Sequence, residues 1–143
     1  MKVNEVVQAK ASPEVVTIRP DATVRELVAL LARHNVGALV VSEDGERLTG
    51  IVSERDVVRH LGRDESVLES PVERIMTTDV RTCGGDELLT DLMQVMTDHR
   101  IRHLPVVADD RVTGIISIGD VVKGRIGELE FERDQLDSYV HQT

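Results

Sequence analysis

Shifted by 65 positions, the sequence falls on itself. Val15 lands on Val80, Thr17 on Thr82 and Asp21 on Asp86. Val24, Leu27, Val28 and Leu31 land on Leu89, Leu92, Met93 and Met96, and His34, Val36 and Leu39 on His99, Ile101 and Leu104. After Gly45 the second copy is one residue shorter and the offset becomes 64. That offset carries GIVSERD (Gly50 to Asp56) onto GIISIGD (Gly114 to Asp120). A unit of about 50 residues is marginal on its own, so the two copies are expected to pack together.

Within each copy the apolar spacing is readable. Val24, Leu27, Val28 and Leu31 stand at i, i+3, i+4 and i+7, one buried helix face. The set from Leu89 to Met96 repeats it. Asp21 or Thr23, and Asp86 in the second copy, are placed to cap these helices. GALVVS, a turn at Asp44-Gly45 and GIVS then predict a β-hairpin. HLPVVA, Asp109-Asp110 and GIIS predict its counterpart. A second helix is expected after each serine, from Glu54 to about His60 and from Ile118 onward. Each copy therefore reads β-α-β-β-α. The expected organisation is a first copy with a helical lead-in over 1–62 and a linker with a second lead-in helix over 63–75. A second copy follows over 76–125, and a C-terminal helix over 126–143. The second lead-in helix should begin at Pro71 and pack Val72, Ile75 and Met76 against the unit that follows.

Composition narrows the function classes. Phe131 and Tyr139 are the only aromatic residues, which leaves few stacking platforms for single-stranded nucleic acid. A net charge of −9 is wrong for a duplex-DNA binder, which gains affinity by neutralising phosphates. Small phosphorylated ligands need only a local cluster of donors and remain open. Cys83, the single cysteine, has no internal disulfide partner and reads as a small core residue. MKVNEVVQAK lacks the apolar run of a signal peptide, and no stretch approaches the roughly 20 apolar residues that span a bilayer. The expectation is a cytoplasmic protein.

The duplicated GIVSERD and GIISIGD phrases, with IRHLPVV opening the second hairpin, resemble a pair of cystathionine-β-synthase (CBS) domains, also termed a Bateman module. The resemblance covers about residues 13 to 125. It implies an α/β fold of the α+β type, with two pseudosymmetric repeats packed through their small sheets. It also implies adenosine-containing regulatory ligands (AMP, ADP, ATP or S-adenosylmethionine), a homodimer formed through helices, and action on another protein chain. No cofactor is required by this reading.

The resemblance places Asp56 and Asp120 on the ribose, where a carboxylate can accept from both hydroxyls of the cis-diol. Ser53 and Ser117 are candidates for phosphate or ribose contact, helped by free amides at the following helix start. Gly50 and Gly114 would allow close approach of backbone and ligand. Thr17 and Thr82 match the family's small polar position on the first strand. The backbone around Ala38, Leu39 and Val40, and around His103, Leu104 and Pro105, is the candidate for reading adenine. Ser-x-x-Asp is equally a capping pattern, although capping boxes favour Glu or Gln at the far position. Both readings stand at this point.

The copies differ in charge. Arg19 and Arg55 face Gly84 and Gly119 as counterparts, while Arg102 and His103 replace Gly37 and Ala38. These four cations are candidates for a phosphate chain, and the two clefts are expected to differ in affinity or preferred phosphate number. His99 and His103, four apart, would suit zinc only on one helix, so no metal site is assigned. The sequence has no phosphate-loop motif, nucleophile elbow or Cys/His dyad, and no enzyme is expected. A nucleotide hydrolase and a ligand-free interaction module are the alternatives. Val122, Ile126, Leu129, Leu136 and Val140 form a short heptad-like seam with Arg133 at the missing step. The seam either folds back on its own module or meets a partner.

Overall fold

In the computed structural model, which describes residues 1–10 and 14–141, the repeat becomes two α/β halves. A short helix α1 (Val3–Gln8) precedes β1 (Thr17–Ile18), α2 (Val24–His34), β2 (Ala38–Val41), β3 (Gly50–Ser53) and α3 (Glu54–Leu61). Two 3₁₀ turns (Glu65–Glu69 and Val72–Arg74) lead to α4 (Leu89–His99), β4 (His103–Ala108), β5 (Arg111–Ser117) and α5 (Ile118–His141). In the first half β2 lies between β1, which is parallel to it, and β3, which is antiparallel. In the second half β4 and β5 form the hairpin. The expected first strand of this half is reduced to one parallel bridge, Cys83 to Val106. That bridge is the counterpart of Ile18 to Val41 at the 65-residue offset. Gly84 and Gly85 follow Cys83 where Arg19 and Pro20 follow Ile18, and glycine weakens a strand.

The hairpin tips follow their turn residues. Gly45 has φ +83°, and Asp109 and Asp110 have φ +52° and +62°, the left-handed pair a two-residue hairpin turn requires. The tips also touch across the halves, where the Val112 amide donates to the Glu46 carbonyl at 2.8 Å.

Thr23, not Asp21, caps α2. Its Oγ1 accepts from the Glu26 amide at 3.1 Å, and Glu26 accepts from the Thr23 amide at 3.2 Å. The cap expected from Asp86 is not made. The residue before α4 is Leu88, without a side-chain cap bond, and the Leu89 amide donates to the Met1 carbonyl at 3.1 Å. Chain from outside the repeat therefore does the capping.

The same exchange operates in the first half, where the Val24 amide donates to Ser70 and the Val72 amide to Ala22. This corrects the expected packing of the linker. Val72 and Ile75 are buried in the core of the first half with Ile18, Val24, Leu27, Val41 and Val52, and Met76 packs against it. The helix expected from Pro71 is only the 3₁₀ turn. Conversely, Val3, Val6 and Val7 of α1 are buried in the second core, among Leu89, Leu92, Met96, Leu104 and Ile116. Each lead-in completes the half that it does not introduce, because that half holds the helix start needing an acceptor.

Cys83 is buried in this second core, and burial, with Glu87 nearby, pushes its thiol up to about 12. α5 is continuous through the expected boundary at 126. It buries Val121 against the second core, but Leu129 and Leu136 are 48% and 66% exposed, so this part of the seam does not pack on its own module.

Gly50 sits where the linker crosses the β3 edge. Thr77 exchanges backbone hydrogen bonds with Ile51 at 2.9 and 3.0 Å, and a Cβ on Gly50 would lie 2.7 Å from the Thr77 carbonyl. Gly50→Ala should therefore cost about 1–3 kcal/mol of stability in urea unfolding. Gly127→Ala, on the exposed part of α5 with nothing within 4 Å, should stabilise by roughly 0.5–1 kcal/mol. Equal effects of the two changes would contradict this packing.

Candidate ligand-binding clefts

Each Ser-x-x-Asp phrase stands where the second strand of a hairpin turns into a helix. Ser53 ends β3 and Ser117 ends β5, and each following helix begins at the next residue. The first helix start is tied down by the Glu54 amide donating to Gly37 at 2.9 Å. The second is tied by its exact repeat counterpart, the Ile118 amide donating to Arg102 at 2.8 Å. Both bonds reach the residue just before the first strand of the same hairpin, which holds serine and aspartate at the hairpin's open end.

The aspartates do cap. Asp56 Oδ2 accepts from the Ser53 amide at 2.8 Å and its hydroxyl at 3.1 Å, and Asp120 Oδ2 accepts from the Ser117 amide at 2.9 Å. The serine hydroxyls in turn accept from the aspartate amides, at 3.3 and 3.1 Å. In both copies the bonds fall on Oδ2, and Oδ1 accepts no hydrogen bond among the described residues. Capping and acceptance of a ligand hydroxyl are thus compatible on one carboxylate, because they use different oxygens.

Two open cavities flank the junction of the halves. The first, about 440 Å³, holds Ser53 and Asp56 of the first copy against Arg100 to His103 of the second. The second, about 400 Å³, holds Ser117 and Asp120 of the second copy against Asn35 to Leu39 of the first. Each cavity is therefore made by both halves, and both volumes suit a small-molecule ligand. Gly37, Ala38 and His103 line both. The His103 ring packs so closely on Gly37 that a Cβ there would lie 3.3 Å from Cε1. Burial holds the His103 imidazole below its ordinary value, against the opposing pull of Glu54 and Asp120.

Charge breaks the symmetry. The first cavity is lined by Arg55, Arg59, Arg81, Arg100 and Arg102, whose counterparts are Gly119, Lys123, Val16, Asn35 and Gly37. None of the five forms a salt bridge among the described residues, although Glu54, Asp56 and Asp79 share the lining. Arg100 holds φ +54° at the end of α4, a left-handed position that suits its counterpart Asn35 better. Non-glycine residues held in that region cluster at binding sites. The second cavity offers Lys10, His34 and His103 with Glu14 and Asp120, and Lys10 is paired with Asp120. Burial alone would raise the Asp120 carboxyl, but hydrogen bonds from Lys10 and Ser117 outweigh it and hold the group below its ordinary value.

Arg55, Arg102 and His103 therefore share the first cavity, and Ala38 and Leu39 lie in cavity walls. Arg19 lies outside both linings, bonded to Asp21 at 3.0 Å and to the Glu43 carbonyl at 2.9 Å. Thr17, Thr82, Val40, Leu104 and Pro105 are also outside them; Val40, Leu104 and Pro105 are buried. Gly50 and Gly114 make room for protein rather than for a cavity, Gly114 against Val7 and Gly50 against Met76 and Thr77. Four cations escaped the sequence reading. Arg59 stands one helical turn after Arg55, and Arg81 and Arg100 are visible as departures from Val16 and Asn35. Lys10 carries no local signal.

The family model described as the CBS domain matches residues 3–63 and 72–127. The CBS domain-containing protein CBSX3, mitochondrial, of Arabidopsis thaliana is 40% identical over 125 residues, 84% of this chain and 61% of that protein. The chain thus spans less than two thirds of that relative's length. A crystal structure of a CBS-domain protein from Agrobacterium tumefaciens superposes with a TM-score of 0.82 at 37% identity, covering 87% of this chain and 99% of that one. The CBS domain pair of protein MJ0100, solved with 5′-methylthioadenosine and S-adenosyl-L-methionine, gives 0.79 at 26% identity, covering 90% and 98%.

Because Asp56, at the third position of α3, completes the capping box with Ser53, Asp56→Ala should lower stability by about 0.5–1.5 kcal/mol with no ligand present. Asp56→Asn, which keeps an acceptor oxygen, should lose less. Urea unfolding of the two variants checks this, and an unchanged midpoint for Asp56→Ala would remove the capping role.

Proposed function

The chain belongs to the CBS-domain family, and from that premise we propose that it is a regulatory sensor of adenosine-containing ligands that acts on a partner protein. The observation that carries this reading is the duplicated carboxylate, Asp56 and Asp120, each with one oxygen left over from capping and each in a cavity made by both halves. A ribose cis-diol fits that acceptor, with Ser53 and Ser117 beside it. The complex of MJ0100 supports adenosine compounds as the class. AMP, ADP and ATP extend it, since the first cavity's arginines suit a phosphate chain. The protein is not an enzyme on this reading, and cytoplasmic location goes with it.

A second reading is favoured by α5. Val122, Ile126, Leu129 and Leu136 are between 44% and 66% exposed on one helix. Such a face suits a second copy of the chain or a target protein, so the fold would serve as an interaction scaffold with or without a nucleotide. In the sensor reading the same face couples ligand state to a homodimer or to the partner.

Thermal unfolding with AMP, ADP, ATP, S-adenosylmethionine, NAD and GTP separates the two. A ligand at 100 times its dissociation constant adds about 2.7 kcal/mol to the folded state. The sensor should be stabilised by adenosine compounds and not by GTP. The Asp56→Asn, Asp120→Asn double variant should fold yet bind roughly ten- to a hundredfold more weakly, the loss of charge-assisted contacts. No shift with any compound would leave the scaffold, and phosphate release from ATP would expose a hydrolase.

A further inference from the structure

Asp56 and Asp120 are equivalent in sequence but not in company. Lys10 Nζ lies 2.7 Å from Asp120 Oδ2 and donates to the Ile115 carbonyl at 2.6 Å. Both side chains of the pair are only 25% exposed, and both line the second cavity. No cation is bonded to Asp56 among the described residues. At the 65-residue offset Lys10 corresponds to Ile75, which is 4% exposed in the first core. A lysine in one lead-in thus stands where the other has a core residue.

The placement of Lys10 is built into the fold. Val3, Val6 and Val7 anchor α1 in the second core, and Val7 seats on Gly114, where a Cβ would lie 2.8 Å from Val7 Cγ1. The Lys10 amide donates to the Val7 carbonyl at 3.3 Å. The ammonium is thereby delivered to the β5 edge, beside Asp120.

We propose that Lys10 is an internal competitor at the second cavity: bonded to Oδ2, it already partners the charge of the carboxylate whose Oδ1 a ligand diol would use. The proposal rests on the adenosine reading above. A neutral diol reaching Oδ1 of Asp120 meets a carboxylate whose charge the ammonium already partners, so its hydrogen bond gains less than at Asp56. The same diol meets no cation on Asp56. The second cavity is therefore the weaker site for uncharged nucleosides.

The test uses the full chain, which has three lysines: Lys2, Lys10 and Lys123. Acetylation with an amine-reactive ester, followed by mass spectrometry, should label Lys10 several-fold more slowly than exposed Lys2 and Lys123. Asp120→Asn should raise Lys10 to their rate. Adenosine is then titrated calorimetrically into Asp56→Asn protein, which weakens the first cavity, with and without Lys10→Met. The double variant should bind about fivefold more tightly, the ratio expected from releasing a partly exposed ion pair. Lys10→Gln should behave alike and guards against a misfolded methionine variant. Lys10 labelling as fast as Lys2 in the unaltered protein would overturn the proposal. So would unchanged or weaker adenosine binding on removal of Lys10 while the first cavity still binds. Absence of adenosine binding by every form, the unaltered protein included, would instead overturn the adenosine reading beneath it.

Discussion

Two backbone hydrogen bonds, from the Glu54 amide to Gly37 and from the Ile118 amide to Arg102, decide where the rest of the site can be. Each uses an amide from the first turn of a helix, a donor without a partner inside that helix. By spending it on the residue before the hairpin, each copy locks its helix start to the hairpin's open end. Serine and aspartate are then presented beside the other copy. Without that constraint the Ser-x-x-Asp phrase would be only a cap. With it, the cap's leftover carboxylate oxygen belongs to a cavity.

The cavities exist because neither copy is self-sufficient. Val72 and Ile75 complete the first core, and α1 completes the second, so the chain is threaded back and forth between halves. The exchange keeps the apolar interior nearly symmetric while leaving the cavity walls free to diverge. Five arginines on one side meet glycine, valine, asparagine and a lone lysine at the matching positions of the other. Guanidinium groups favour phosphate strongly and in fixed geometry, whereas the second cavity's nearest cation is committed to Asp120. A duplicated frame has in this way become two chemically distinct cavities, with His103 in the wall between them.

Much of this was legible in the sequence wherever the deciding contacts are local. The helix faces, the hairpins, the Thr23 cap option and the helices after Ser53 and Ser117 all rest on residues within a few positions of each other, although Val28, expected on the buried face of α2, is 40% exposed. The CBS resemblance supplied the pairing of the halves. What escaped depends on distant partners. The Val24–Ser70 bond and the burial of α1 in the second core set the packing of the lead-ins, and no periodicity reports either. Lys10 meets Asp120 across 110 positions of chain. Arg19 looked free in sequence and is instead held by Asp21, two residues away. Arg81 and Arg100 were present in the repeat comparison as departures from Val16 and Asn35, and their weight emerges only once Arg55 and Arg102 lie on the same cavity.

The central claim is that one frame carries two unequal adenosine sites, with the phosphate-directed one at Asp56. Calorimetric titration of ATP into the unaltered protein, Asp56→Asn and Asp120→Asn tests it most directly. One tightly bound ATP is expected, weakened roughly tenfold or more by Asp56→Asn and little changed by Asp120→Asn. Two ATP molecules bound with equal affinity, or equal sensitivity to the two substitutions, would contradict it.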